Sequence, residues 1–347
     1  MQICPACGTH VAPALLSCPS CRWLVHAERL KQLADDARRA EQARDISTVI
    51  ALWRQALELL PSSSRQHEQI LATIETLGRR LESGAQRGSS PASSGQTTTT
   101  GSSQQGRKLT IAGLFGLALL KGKWAIVLLL TKGKLLLLGL TKASTLLSML
   151  LSFGVYWTAW GWKFALGLVA SIYIHEMGHV AMLRRYGIRA SAPMFIPGVG
   201  AFVRMKQPPL SAREDARVGL AGPWWGLATA AVGYGVFRAT GWATWAAIAQ
   251  AGGWLTIVNL LPLWQLDGSR GFQALSRPQR WTVMLVAALL WWASREGLLI
   301  LLVLVAGVRA VGHDAPKEGD VTTLTQYVWL VMLSSLLTVV RVPLPRR

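Results

Sequence analysis

The sequence predicts a mainly α protein: a polytopic membrane helix bundle of about six spans with a small β-hairpin, preceded by a small cysteine ribbon and a soluble helical hairpin. Three observations predict it. Hydrophobic residues make up 51% of the 347, and 16 of them are Trp; several apolar runs approach the roughly 20 residues a helix needs to cross a bilayer. Two Cys-x-x-Cys knuckles open the chain and contain all four of its cysteines. Between these regions, residues 83–106 are Ser, Thr, Gly and Gln with little else, a composition with nothing to bury.

The formal net charge is +19, but Lys and Arg are scattered through loops, linker edges and tail. Such scatter fits membrane topology and anionic lipid better than a nucleic-acid groove. Nucleic acid is therefore not an expected partner. The N-terminus is a cysteine cluster rather than a basic and then apolar run, so no secretory signal peptide is expected.

In chain order, residues 1–26 place Cys4, Cys7, Cys18 and Cys21 in two knuckles ten residues apart. Paired knuckles offer a tetrahedral thiolate site for a structural zinc, and a segment this small has little core without one. Two disulfides are the weaker reading at this spacing. The segment resembles a small bacterial zinc ribbon. Zinc thiolates imply a reducing compartment, hence a cytoplasmic N-terminus. His10 and His26 flank a site already filled by four cysteines and read as surface residues.

Residues 27–82 are polar with helical periodicity, carried by Leu30, Leu33 and Ala37, then Val49, Ile50, Trp53 and Leu57, then Ile70, Ile74 and Leu77. Ala37, Trp53, Ala56 and Pro61 partly match one tetratricopeptide unit, but such units need neighbours, so a helical hairpin or short bundle is the expectation. It suits contact with a cytosolic protein partner through residues 1–82 better than chemistry. The linker 83–106 is expected to separate this head from the membrane part, which makes recruitment or regulation its expected role. Lysines at 121, 123, 132, 134 and 142 interrupt the apolar stretch 107–142, as in helices that lie in the interface or re-enter it.

Residues 143–347 form the expected membrane domain, with spans near 144–161, 163–183, 215–238 and 242–263. Residues 281–309 make either one long tilted helix or a short hairpin, and 324–340 a last span. The first alternative gives six spans and the second seven. Arg346-Arg347 favours six, because that count returns the tail to the Lys/Arg-rich side. Between the second and third spans, the alternation in Gly200-Ala201-Phe202-Val203 reads as a short β-hairpin rather than a surface loop.

The second span carries His175, Glu176 and His179. A helix turns about 100° per residue, so residues four apart share a face. His175 and His179 can therefore grip one metal ion, with Glu176 beside them. This is H-E-x-x-H, the zinc-hydrolase pattern in which the Glu serves as general base. Two core histidines at chance spacing are a poor alternative, because ionisable groups inside a membrane helix are costly and are kept mainly for function. Such a site needs a third ligand. Asp267 is the best candidate: it ends a later apolar stretch just before Arg270, Arg277 and Arg280, as the histidines precede Arg184, Arg185 and Arg189.

With His175-Glu-Met-Gly-His179, Leu220-Ala-Gly-Pro223 and Asn259, Pro262, Asp267-Gly268 in this order, the chain resembles the site-2 proteases over about residues 145–280. These are intramembrane zinc metalloproteases that cut substrate transmembrane segments. The chain departs from them at Trp264 and Gln265, where relatives usually carry further prolines. The resemblance implies a catalytic zinc on His175, His179 and Asp267, with Glu176 as the base. It also implies an unwound substrate pairing with the strand near Gly200–Val203, and a membrane-anchored signalling protein as substrate. It points to an integral protein of the bacterial inner membrane. Asn259 either donates to the substrate carbonyl or caps and bridges helices. Three other classes compete: a non-catalytic zinc-binding scaffold, which would not need Glu176 and three ligands; a nucleic-acid-binding regulator, against which the ribbon offers only Trp23 for stacking; and a transporter, which would not need H-E-x-x-H.

Overall fold

The computed structural model describes residues 2–12, 15–87 and 143–343, with side chains of 83–87 excepted. Among these there are eleven helices and two short antiparallel strand pairs. The expected interfacial segment 107–142, the linker from residue 88 onward, and Arg346-Arg347 lie outside the described residues.

The two knuckles fold alike. Strand β1 (Gln2–Ile3) pairs with β2 (His10–Val11). Each knuckle closes when the backbone N–H four residues after its first cysteine returns to that cysteine's carbonyl: Gly8 to Cys4, and Arg22 to Cys18, both 2.9 Å. Gly8 and Arg22 adopt φ of 75° and 60°, the left-handed turn such a closure requires.

The helical head follows as α1 (Ala27–Gln42), α2 (Ile46–Leu57) and α3 (Arg65–Arg87). Asp45 caps α2 by accepting from the Thr48 N–H at 3.1 Å. Val49, Ile50, Ile74 and Leu77 form the head's core, with Trp53, Leu57 and Ile70 around it, as the i, i+3/i+4 pattern demands. α3 runs to Arg87, so the first residues of the expected linker are helical. The expected separation of the head from the membrane part is not what the structure has. α2 and α3 lie against the segment around Tyr186 and the start of the long helix that follows it.

The second half comprises α4 (Ala143–Trp160), α5 (Trp162–Arg185), β3 (Met194–Ile196), β4 (Gly200–Phe202), α6 (Ala212–Thr240), α7 (Ala243–Asn259), α8 (Asp267–Gln273), α9 (Arg277–Ser294), α10 (Gly297–Val311) and α11 (Val321–Thr338). β3 and β4 pair antiparallel, Phe195 opposite Ala201. α6 is central and packs against α5, α7, α8 and α11. Among the described residues, two helices, α5 and α11, are long and apolar enough to cross a membrane, and α10 is a shorter apolar helix.

Residues 281–309 are not one long helix. Arg295 adopts φ 57° and ends α9, Glu296 caps α10, and the two helices fold back on each other. Arg277 and Arg280 close the open end by donating to the carbonyls of Val311 and Arg309, each at 2.8 Å. The left-handed arginine beside a glutamate is what breaks the apolar run. Among the described residues, the second half thus has seven helices of 15 residues or more, α4–α7 and α9–α11.

Candidate metal centre

Three side chains from two elements converge. His175 and His179 are one turn apart on α5 and both buried. Asp267 is the first residue of α8, which packs on α6 beside them. Asp267 Oδ2 stands 3.0 Å from His175 Nε2 and 3.2 Å from His179 Nε2, and the two Nε2 atoms are 3.3 Å apart. Three donors on a tetrahedral zinc, each about 2.0–2.2 Å from it, are about 3.3 Å from one another. The donor set and its spacing therefore fit such an ion.

Both rings are held by α6. His179 Nδ1–H donates to the Val218 carbonyl at 2.8 Å, which leaves Nε2 with its lone pair toward Asp267. Hydrogen bonding of the second ring nitrogen is the usual way a histidine ligand is oriented. Gly222 and Gly226 on α6 lie directly against the rings. A Cβ at Gly222 would strike His179 Nε2 and stand 2.7 Å from His175 Nε2, and one at Gly226 would stand 2.9 Å from His175 Nδ1. The close approach of α5 and α6 is thus specific to the faces that carry the ligands. Glu176, also on α5, is buried next to this group.

Asp267 is fixed from several directions. The loop between α7 and α8 turns at Trp264, whose φ is 45° and whose side chain is 90% exposed. The Tyr327 hydroxyl donates to the Leu260 carbonyl, and Gly268 lies on that same carbonyl so closely that no Cβ fits. One helical turn on, Arg270 Nε donates to Asp215 of α6 at 2.8 Å. Asp267 is therefore clamped to α6 by its own short helix.

Of the residues expected to meet a substrate, Ala201 and Val203 pack against a cluster that includes Tyr173 and Met177 of α5, and β4 runs beside the histidine helix. Gly200 and Phe202 are the ends of that strand, Phe202 being exposed. Asn259 ends α7, half-buried, and takes no part in the hydrogen bonds around the three ligands. The Val218 carbonyl, Asp215 and Arg270 were not singled out by sequence. A backbone carbonyl leaves no mark in a sequence, and an acid–base pair 55 residues apart has no periodicity to reveal it.

A second cluster occupies the N-terminus. Cys4, Cys7, Cys18 and Cys21 bring their sulfur atoms within 4.8 Å of one another. Cys4–Cys21 and Cys7–Cys18 are each 3.6 Å apart, close to the roughly 3.8 Å of two thiolates on a tetrahedral zinc and far from the about 2.05 Å of a disulfide. The Thr9 hydroxyl, 3.3 Å from Cys7 Sγ, favours the thiolate and holds Cys7 down to about 6. At Cys21 the Trp23 N–H favours the thiolate, but Cys7, burial, Cys4 and Cys18 together push it up to about 12. Four packed sulfurs do not all ionise unless a cation compensates them. Replacing Cys18 by Ser is expected to remove one metal equivalent per chain and leave the His175 cluster loaded, as measured by elemental analysis.

Comparison with known proteins gives one match: residues 163–241 fit the family model of peptidase family M50. No curated protein and no solved structure matches the chain. The matched residues include His175, Glu176, His179 and the glycines of α6 that cover them, whereas Asp267 joins the site by geometry alone. The buried His175-Glu-x-x-His179 helix thus lies in a segment, residues 163–241, that matches peptidase family M50, the site-2 protease family of metallopeptidases.

Proposed function

We propose that the protein is an intramembrane zinc metalloendopeptidase that hydrolyses a peptide bond within or near a substrate's transmembrane segment. The observation that carries this reading is the convergence of His175 Nε2, His179 Nε2 and Asp267 Oδ2 beside a buried glutamate. Those three atoms would hold the zinc, which supplies Lewis-acid polarisation of the scissile carbonyl and a more acidic water.

The chain's own residues do the rest. The Val218 carbonyl keeps the His179 proton on Nδ1, so Nε2 stays available as a donor. Glu176 accepts the proton of the attacking water and returns it to the leaving amine. β4 offers an extended edge to which an unwound substrate can add as a strand, with Gly200, Ala201, Phe202 and Val203 forming the contact. A helical substrate shields its peptide bonds, and an added strand exposes them. Asn259 is the proposed donor to the substrate carbonyl.

Supporting the membrane reading, Trp160 at the end of α4 and Trp162 at the start of α5 are exposed, and Arg184 and Arg185 lie at the other end of α5. This is the distribution of an interface anchor and a cytoplasmic flank. The protein is thereby proposed to be integral to the bacterial inner membrane with its N-terminus in the cytoplasm, and to act in the regulated proteolysis of membrane-anchored signalling proteins. The cysteine cluster is proposed to hold a structural zinc, and residues 1–82 to engage a cytosolic protein.

The test is cleavage of a single-span peptide by the full chain in liposomes, with products mapped by mass spectrometry. New termini inside the apolar segment are expected, lost on chelation and restored by Zn2+. Cleavage confined to soluble peptides, or indifferent to chelation, overturns the proposal. No cleavage at all, with both clusters loaded, would favour a scaffold.

A further inference from the structure

The helical head is joined to the metal centre by a buried ion pair. Arg54 of α2 donates through Nε to the carbonyl of Tyr186, the residue that caps α5, at 2.9 Å. Its Nη2 pairs with Glu214 in the first turn of α6, with the two side chains only 4% and 9% exposed. The other oxygen of Glu214 accepts from the Leu210 N–H at 2.8 Å. One guanidinium thus spans the end of the helix that carries both histidines and the start of the helix that orients one of them.

The contact is broad. Arg185 donates to the Leu81 carbonyl at 2.8 Å, and the Tyr186 hydroxyl to Glu82 at 2.7 Å. Arg189 pairs with Glu58 at 2.8 Å, and Gly187 lies against the backbone of Ala51. The anchored stretch of α6 is also where the site's supports meet. Within Glu214–Val218, Asp215 holds Arg270 of the Asp267 helix, Arg217 pairs with Asp320 at 2.7 Å, and the Val218 carbonyl receives His179.

We infer that the head is a built-in part of the catalytic unit, and that Arg54 is a positioning residue of the metal centre. It holds the ends of α5 and α6 at the spacing where the Val218 carbonyl meets His179. The inference rests on the metal-centre reading above. An N–H···O hydrogen bond needs about 2.7–3.2 Å and weakens steeply when its angle falls below about 120°, and removing one partner of a buried pair leaves the other charge uncompensated. Loss of Arg54 therefore opens the α5–α6 junction and frees the His179 ring.

The experiment uses the full chain in detergent, loaded with zinc or with cobalt. Cobalt on thiolates gives strong charge-transfer absorption and cobalt on nitrogen and oxygen gives weak visible bands, so the two clusters are read separately. Arg54→Ala is expected to weaken the membrane site about tenfold in chelator competition, at the low end for loss of an outer support. It should also shift the weak bands and leave the thiolate absorption unchanged. Arg54→Lys, which reaches either Tyr186 or Glu214, should recover part of the loss. Ala51→Trp should reproduce the Arg54→Ala result with Arg54 intact, because it lifts the head from Gly187. Wild-type affinity and bands in Arg54→Ala overturn the inference, and so does an equal change at both clusters, which would mark a role in folding alone. His179→Ala is the control: if it keeps all its metal, the metal-centre reading itself fails, whatever Arg54 does.

Discussion

Glu176→Gln lowers proteolysis by about a thousandfold while the protein keeps its full metal content. The amide has the shape of the carboxyl group but cannot accept the proton of the attacking water. It leaves the donors of His175, His179 and Asp267 in place, since Glu176 is not among the three that converge. His175→Ala and Asp267→Ala are expected to behave differently, each losing one metal equivalent per chain together with activity. Turnover of a transmembrane peptide, measured beside elemental analysis of the same preparations, separates the two classes. A Glu176→Gln protein that cleaves at the normal rate would require another base. One that has lost its metal would make Glu176 a ligand.

Gly222→Ala empties the membrane site and reduces activity to background. The added methyl would fall on His179 Nε2 and Cε1 and within 2.7 Å of His175 Nε2, on the atoms that face Asp267. Neither ring can retreat: His179 is tied to Val218 at 2.8 Å, and both histidines are buried on α5. Gly226→Ala should be milder, because its methyl would meet His175 at Nδ1, 2.9 Å away, rather than at the converging nitrogen. Gly235→Ala on the same helix has nothing within 4 Å and should be silent. The order Gly222, Gly226, Gly235 in chelator affinity is the expected result. Ala is otherwise the better helix former, so equal losses at all three would overturn the steric account.

The same contrast shows how far the sequence could be read. His175 and His179 were legible because helical periodicity alone puts them on one face, and the two cysteine knuckles because their spacing carries the turn that closes each one. Asp267 could be nominated from its place before a basic segment, while its approach to His175 Nε2 depends on α8 packing against α6. The division of residues 281–309 was open in the sequence. The left-handed backbone of Arg295 decides it for two helices. The head was misjudged for a clear reason. A linker made mostly of Ser, Thr, Gly and Gln implies freedom between the parts it joins, and the contacts of Arg54 with Tyr186 and Glu214 lie 132 and 160 residues away in the chain.

By itself, then, the sequence determined the helical class, the chemistry of the donor groups and the family that their order resembles. These follow from local periodicity and residue type, which act over a few positions. The tertiary structure alone decided which glycines make room for the histidines, which carbonyl orients His179 and which arginine from the head holds that carbonyl in place. Those are contacts between helices distant in sequence, made by backbone groups and by charges paired through burial, and no local pattern encodes them.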